Sequence, residues 1–484
     1  MRKNNVEDNR NFTLLTDLYQ LTMMQGYFKE NRTENVIFDM FYRSNPSGNG
    51  YAICAGLDSV IDYIKNLRFT DTEISYLKSL GIFEDDFLEY LKDFKFTGDI
   101  YAIPEGTVVF PMEPLIKVVA PIMEAQLVET TILNMVNHQS LIATKSARVC
   151  LSAENDIVME FGLRRAQGAD AGVLGARAAI IGGCFGTSNV LCAQMFNVPA
   201  LGTHAHSWIM SFEDELTAFR AYAKVYKDNI TLLVDTYDTL RSGVPNAIMV
   251  FNELRDLGKM PKNYGIRLDS GDLAYLSKKA RIMLDEAGFE DAKIVASSDL
   301  DEHLITSLKS QGAKIDTWGV GTNLITSKDC PAFGGVYKLA AVEENGDYVP
   351  KIKLSENTIK ITNPGNKTVF RLYDNKTGKI KADLISFANE EIDESNDLTI
   401  FDPVATWKKT TLKANTFKVK ELLLPIFKSG ECVYSSPEVI DIQKHCKKEL
   451  KTLWEENLRL VNPHPVYVDL SEKLWKTKND LLHK

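Results

Sequence analysis

His204 and His206 lie two residues apart in the stretch LGTHAHSW, in a chain with only seven histidines. Three chemistries fit such a pair. Two imidazoles at this spacing suit a metal ion, provided that a third His or a carboxylate completes the set. One imidazole oriented by a carboxylate through one ring nitrogen is a nucleophile at the other. Or one ring caps the helix that follows while its neighbour packs. Asp235 in LLVDTYD ends the next apolar run. It could complete a metal site, orient a ring, or cap the helix after it.

Other candidate site residues recur at the same kind of place, just past short apolar runs. They are Phe161 with Arg164 and Arg165; Gly186, Thr187, Ser188 and Asn189; Thr203; Asp238; Arg267, Asp269, Ser270 and Asp272; Ser298 and Asp299; and Gly319, Gly321 and Thr322. In RLDSGDL, the carboxylates of Asp269 and Asp272 suit ribose hydroxyls or a Mg2+ ion that itself holds pyrophosphate. Asp272 is equally a helix N-cap, which is its expected main role. WGVGTNLIT reads as strand, glycine turn and helix start, a geometry that aims backbone N–H groups at a phosphate.

The elements that must carry these residues form one repeating pattern. From about 157 to 325, β-like runs (IVMEFG, IGGCFG, VPALGTH, ITLLVDT, NYGIRLDSG, KIVASSD, IDTWGVG) alternate with helical ones such as DLAYLSKKARIMLDEAG and DEHLITSLKSQG. Repeated β-α units predict a parallel sheet. Seven of them, with an eighth strand from GVYKLAAV or LIKVVAP, predict a closed barrel whose site lies at the carboxyl ends of the strands. The expected class is therefore α/β, an irregular TIM-like (β/α) barrel over residues 136–345. An N-terminal α+β domain is expected over 1–135, and a C-terminal region of hairpins and a terminal helix over 346–484.

In the flanks, TDLYQLTMMQGYF reads as a helix capped by Thr16 or Asp17. The run from Met123 to Ala153 reads as a pair of apolar helices, and Asn-Lys-Thr-Gly as a hairpin turn between alternating strands. SSPEVIDIQKHCKKELKTLWEENLRLVNP reads as one capped amphipathic helix. Lys351, Lys353, Lys360, Lys367 and Arg371 cluster in an otherwise acidic chain. They are either a cationic wall near a polyphosphate or a solvated hairpin face, and a mainly structural role is expected.

A formal net charge of −9 argues against nucleic acid as the main partner, since a phosphate backbone needs a basic surface. The seven cysteines show no CxxC spacing, and Cys184 and Cys192 sit in apolar runs, so reduced, packed thiols are expected. The opening MRKNNVEDNRNF has no apolar core of a signal peptide, and no run is long enough to span a membrane. A cytoplasmic enzyme is expected.

The motifs TDLYQLTM, FGLRRAQG, GTSNVLCA, GTHAHSW, VDTYDTL, RLDSGDL, GVGTNL and PKIKLSENTIKITNPGNKTVFR occur in this order over nearly the whole chain. Together they resemble the nicotinate phosphoribosyltransferase family, of the type II phosphoribosyltransferases. The resemblance implies transfer of phosphoribose from phosphoribosyl pyrophosphate to nicotinate, forming nicotinate mononucleotide and pyrophosphate. It also implies coupling to ATP hydrolysis through a phosphorylated histidine, with Mg2+ held by pyrophosphate or ATP rather than by a protein-only site. The family's histidine directly precedes the Ser of AHS, which is His206, and leaves His204 as a neighbour. Asp235 would orient His206. Tyr19, contributed by the partner in a homodimer, and Phe161 would sandwich the pyridine ring, and Thr203 and Arg267 would contact nicotinate. Arg164, Asp269, Asp299, Gly319, Gly321 and Thr322 would hold the phosphoribosyl group and its phosphates. The alternative reading is a metal-dependent barrel hydrolase built on the His-x-His pair.

Ser188 bears on specificity. Related nicotinamide enzymes carry Asp at this position, an acceptor for the amide NH2. Against a carboxylate an Asp would repel, whereas a serine hydroxyl can donate. Paired assays with the two pyridines are therefore expected to show clear preference for nicotinate over nicotinamide, and equal turnover of both would refute the role given to Ser188.

Overall fold

The computed structural model describes residues 11–357, 360–405 and 407–483. Thr358 and Ile359, within the lysine-rich segment, lie outside the described residues, as do the first ten residues of the chain. The described chain divides into two compact units. One runs from Lys145 to Pro331; the other combines the segments before and after it. Three domains with edges at 135/136 and 345/346 were expected. Two units, meeting at 144/145 and 331/332, are found because the terminal segments are woven into shared sheets.

The first unit is built on six parallel strands: β1 Ile157–Glu160, β2 Gly186–Thr187, β3 Asn229–Leu233, β4 Asn263–Leu268, β5 Lys293–Ser298 and β6 Thr317–Val320. Their order is β2-β1-β6-β5-β4-β3, so chain order is kept around the sheet. Ile294, Val295 and Ala296 are consecutive and buried, as expected for a strand covered on both faces. Polar caps start the helices between strands. Asn189 accepts from the Cys192 N–H, Asp214 from Thr217, Asp272 from Tyr275 and Asp301 from Leu304. Asp272 is thus the cap it was expected to be.

The expected closed eight-stranded barrel is corrected to a curled sheet of six strands. IGGCFG is not a full strand, because the helix Ala169–Gly182 runs through its first two residues and the chain then turns, leaving only Gly186–Thr187 as strand. VPALGTH adds a single parallel bridge, between Ala200 and Thr187. The proposed eighth strands pair elsewhere: Gly335–Glu344 and Ile116–Pro121 flank Asn35–Tyr42, both antiparallel. A strand that finds antiparallel neighbours on both sides has no free edge to offer a parallel ladder.

The second unit holds two sheets. The first has seven strands in the order Asp347–Pro350, Gly335–Glu344, Asn35–Tyr42, Ile116–Pro121, Asp99–Ala102, Leu424–Lys428 and Glu431–Cys432. N-terminal and C-terminal segments therefore share one ladder, under a large apolar core that includes Met24, Leu57, Phe87 and Ile426. The second sheet contains the expected hairpin, Lys367–Asp374 against Ile380–Phe387. Its turn is held by Asp374 Oδ1, which accepts from the N–H groups of Lys376 and Thr377, and Gly378 takes the left-handed φ of +68° that ends it. The apolar run after Met123 forms the two helices Ile122–Leu127 and Glu129–Ala153. The long C-terminal helix is shorter than expected. It spans Val439–Leu450, and the N-cap Glu438 makes no side-chain cap bond. Asp17 is the N-cap of Leu18–Lys29, but its carboxylate accepts from the Thr130 hydroxyl instead of from the helix.

The lysine-rich segment separates into two kinds of cation. Lys351 pairs at the surface with Glu344. Lys367 and Arg371 are buried. Lys367 Nζ meets Asp39 at 2.7 Å and donates to the Gly365 carbonyl. Arg371 donates two N–H groups to Asp383, one to Glu449 Oε2 at 2.9 Å and one to the Val108 carbonyl at 2.8 Å. Burial, then the neighbouring Asp383, pushes the Glu113 carboxyl well above its ordinary value. Charges this deep are retained only when fully paired, and removing one partner strands the other. Arg371→Met is expected to lower the unfolding free energy by about 3–5 kcal/mol. Lys351→Ala, at an exposed pair, should change it by less than about 1 kcal/mol. Denaturant unfolding of the two variants measures both.

Candidate active site

The carboxyl ends of the six parallel strands bring most of the singled-out residues to one edge of the first unit. The centre is Asp235, just beyond β3, whose side chain is 2% exposed. Its Oδ1 lies 3.2 Å from His206 Nε2. Its Oδ2 accepts from the backbone N–H of Asp269 at 2.9 Å and from the Ser270 hydroxyl at 2.6 Å. Asp235 therefore does not cap a helix. It ties the residue after β4 to the imidazole that opens the helix His206–Met210. The His206 side chain is 39% exposed. With Nε2–H donated to Asp235, the neutral ring keeps its lone pair on Nδ1.

The two histidines are not equivalent. His204 is 7% exposed, and its Nε2 accepts the N–H of Leu233, the last residue of β3. Its ring packs on Tyr222 at 4.6 Å between centroids. Burial, with Arg267 and His206 nearby, pushes its pKa down to about 4. The Nε2 lone pair that a metal would need is already in use. Among the described residues, no group of three or more His, Cys, Asp or Glu side chains is placed to hold a metal ion. The His-x-His hydrolase alternative is therefore corrected: the two rings have separate partners and do not act as a chelating pair.

Arg267, on β4, organises the adjoining wall. Its Nε donates to the Ser297 hydroxyl, Nη1 to the Thr203 hydroxyl at 2.6 Å and to the His204 carbonyl, and Nη2 to Asp269 Oδ1 at 2.9 Å. The Ser297 hydroxyl also donates to Asp269 Oδ1. Burial works against the Asp269 charge, but the Ser297 and Arg267 donors outweigh it and hold the carboxyl below its ordinary value. These bonds leave one Nη2 N–H of Arg267 for a ligand, so the fork expected to bind a carboxylate bidentately offers a single donor instead.

A second group surrounds β1 and β6. Gly319 is a point of close approach, since a Cβ there would come within 2.6 Å of the Phe161 ring and 3.4 Å of Ser297 Cβ. Its absence lets the aromatic ring lie against β6. A Cβ at Gly321 would stand 3.2 Å from the Phe161 carbonyl, so this glycine also serves the same packing. Thr322 opens the four-residue helix Thr322–Ile325. The exposed Asp299 has its backbone carbonyl held by Asn323 Nδ2 at 3.0 Å. Arg164 and Arg165 are exposed on the single turn Leu163–Arg165, and Asp238 is a local cap. Tyr19 is 49% exposed on Leu18–Lys29 in the other unit. Cys184 and Cys192 are buried thiols outside any disulfide, as expected.

Three site residues escaped the sequence reading: Glu160, Ser297 and Asn323. Glu160 is fully buried at the end of β1, where its carboxylate accepts from the Gly162 N–H and the Thr187 hydroxyl. Burial raises its pKa, against the opposing pull of those two donors. The available clue was a lone carboxylate closing the apolar run IVME, and a hydroxyl closing KIVAS.

The relatives of this chain give the same answer along its whole length. The model described as the nicotinate phosphoribosyltransferase (NAPRTase) family matches residues 157–379, and those of the N-terminal and C-terminal domains match 14–137 and 366–478. A nicotinate phosphoribosyltransferase of Bacillus subtilis (strain 168) is 49% identical over 473 residues, covering 98% of this chain and 95% of that one. The chain belongs to the nicotinate phosphoribosyltransferase family. Another relative, the nicotinate phosphoribosyltransferase of Homo sapiens, is 32% identical over 97% of this chain and 96% of its own length. The crystal structure of human nicotinic acid phosphoribosyltransferase superposes with a TM-score of 0.84 at 30% identity, covering 96% of this chain and 99% of that one. A nicotinate-nucleotide pyrophosphorylase from Pyrococcus furiosus shares the fold, with a TM-score of 0.70 at 24% identity over 93% of this chain and 99% of its own. In this family member no described helix is long and apolar enough to cross a membrane.

The His204 ring carries a pH signature. Its folded pKa is depressed from 6.5 to about 4, so the stability it supports is complete above 6.5 and is lost as the pH falls through about 4. The loss is on the order of 2 kcal/mol. In His204→Asn, unfolding measured from pH 7 to pH 4 should show a smaller decline than the parent chain.

Proposed function

We propose that the chain transfers the phosphoribosyl group of phosphoribosyl pyrophosphate to nicotinate, releasing nicotinate mononucleotide and pyrophosphate, as a step in NAD salvage. We propose further that it couples this to ATP hydrolysis through a phosphohistidine at position 206. The observation that carries the second part is the His206–Asp235 pair: an accessible imidazole whose Nε2 is held by a buried carboxylate. Asp235 keeps the proton on Nε2 and stabilises the ring as it gains charge, and Nδ1 is then the nucleophile toward the γ-phosphorus of ATP. ADP leaves, and water later takes the phosphoryl group from His206 to give phosphate.

In the transfer itself the pyridine nitrogen attacks the anomeric carbon while the bond to pyrophosphate breaks. Nicotinate presents a free lone pair, so no general base is needed at that nitrogen. The protein's contribution is placement of the partners and stabilisation of the leaving charge. Phe161 offers one aromatic face to an electron-poor ring, and Tyr19 of a second copy in a homodimer would offer the other. Thr203, the remaining N–H of Arg267, and Ser188 are suited to donate to the carboxylate. Asp269 and Asp299 suit ribose hydroxyls, and Arg164 with the turn Gly319–Thr322 suits the phosphates. Mg2+ bound with the polyphosphates would supply charge neutralisation, and the oxygen donors of Asp269 and Asp299 fit such a hard cation.

His206→Ala is expected to retain slow transferase activity with nicotinate, phosphoribosyl pyrophosphate and Mg2+, and to lose both stimulation by ATP and acid-labile label from γ-labelled ATP. Full ATP-coupled turnover by this variant would overturn the phosphohistidine assignment.

A further inference from the structure

Glu160 is a buried carboxylate for which the proposed chemistry has no use. It sits on β1 between two segments that carry proposed pyridine contacts. On one side its Oε1 accepts from the N–H of Gly162, the residue after Phe161. On the other, its Oε2 accepts from the Thr187 hydroxyl at 2.5 Å, and its backbone carbonyl accepts from the Ser188 N–H at 2.9 Å. The Thr187 hydroxyl in turn accepts from the Asn189 N–H at 2.9 Å, and Asn189 caps the helix that follows. Gly162 is tightly enclosed: a Cβ there would fall 2.5 Å from Ile325 Cβ and 2.8 Å from Glu160 Oε1. Phe161 is itself anchored to β6 by its N–H, which donates to the Val320 carbonyl at 2.8 Å.

We infer that Glu160 is a positioning residue for the pyridine substrate, because its one carboxylate fixes the Phe161–Gly162 backbone relative to the Thr187–Ser188 backbone. The inference rests on the proposed nicotinate chemistry and deepens it. Both segments leave neighbouring strands at their carboxyl ends, where the Ser188 N–H bond to the Glu160 carbonyl closes the ladder that holds their spacing. Past Glu160 and Thr187, the side-chain carboxylate takes over that task with two charge-assisted bonds. Their lengths set how far the Phe161 ring stands from the Ser188 hydroxyl. That separation matters to a flat ring bearing a carboxylate and not to the phosphates of the co-substrate.

The test is steady-state kinetics of the full chain with each substrate varied in turn, for the parent, Glu160→Met, Glu160→Gln and Thr187→Val, with thermal unfolding to confirm that each variant is folded. Methionine keeps the volume and removes both acceptors. Glutamine keeps both bonds by reversing one: its carbonyl accepts from Gly162, and its NH2 donates to the second lone pair of the Thr187 oxygen. Glu160→Met should raise KM for nicotinate about tenfold or more and leave KM for phosphoribosyl pyrophosphate within about threefold. Glu160→Gln should return KM for nicotinate to within about threefold of the parent. Thr187→Val, which leaves the carboxylate in place, should move KM in the same direction as methionine and decides the matter if Glu160→Met does not fold. An unchanged KM for nicotinate in the folded variants, or equal losses for both substrates without rescue by glutamine, would overturn the assignment of Glu160 alone. A parent chain that forms no nicotinate mononucleotide would overturn the proposed reaction and this inference with it.

Discussion

The bonds made by the Asp235 carboxylate hold the site together. One oxygen meets His206 and the other takes the Asp269 N–H and the Ser270 hydroxyl, so a single buried group joins three segments that leave the sheet at different points. A buried carboxylate demands such donors, because an ionised group without them would be expelled or neutralised. The same demand orients the imidazole. The parallel ladder supplies the rest of the order: strands running in one direction end on one edge, and their terminal residues meet there whatever their distance along the chain.

Around that centre the site is a set of interlocked donors more than a rigid cavity of apolar walls. Arg267 reaches Thr203, His204, Ser297 and Asp269, and so links the histidine segment to β4 and β5. Gly319 then links β5 and β6 to Phe161 through close approach. Glu160 performs at β1 and β2 what Asp235 performs at β3 and β4. Both carboxylates are buried at strand ends, and each ties its own strand end to neighbouring segments. They differ in that Asp235 also touches an accessible imidazole, which gives it chemistry, while Glu160 meets only a backbone N–H and a hydroxyl.

The second unit solves a different problem with similar means. Its seven-stranded sheet sets three N-terminal strands between two pairs of C-terminal ones, so it forms only when both ends of the chain are present. Lys367 and Arg371 sit within this interleaved structure with their charges paired to Asp39, Asp383 and Glu449. Such pairs fix register more than they add stability, since each partner requires the other in one place.

The sequence by itself determined what is local. Six of the seven expected β-α units, the cap at Asp272, the Asn-Lys-Thr-Gly hairpin and the order of the family motifs were legible, because propensity, capping and period act over a few residues. His206 and Asp235 were legible as candidates, each ending an apolar run. The family motif singled out His206 over His204, and the tertiary structure supplied the physical reason. That reason is Leu233, 29 residues from His204, whose N–H claims one ring and leaves the other to Asp235. Tertiary structure decided that Arg371, 78 residues from Glu449, is a buried ion-pair partner and not part of a cationic surface. GVYKLAAV and LIKVVAP had strand composition but no readable neighbour, and the choice between a parallel ladder and an antiparallel one rests on pairing across the chain. Hydrogen-bond partners distant in sequence leave no periodic trace, so only the folded chain can assign them.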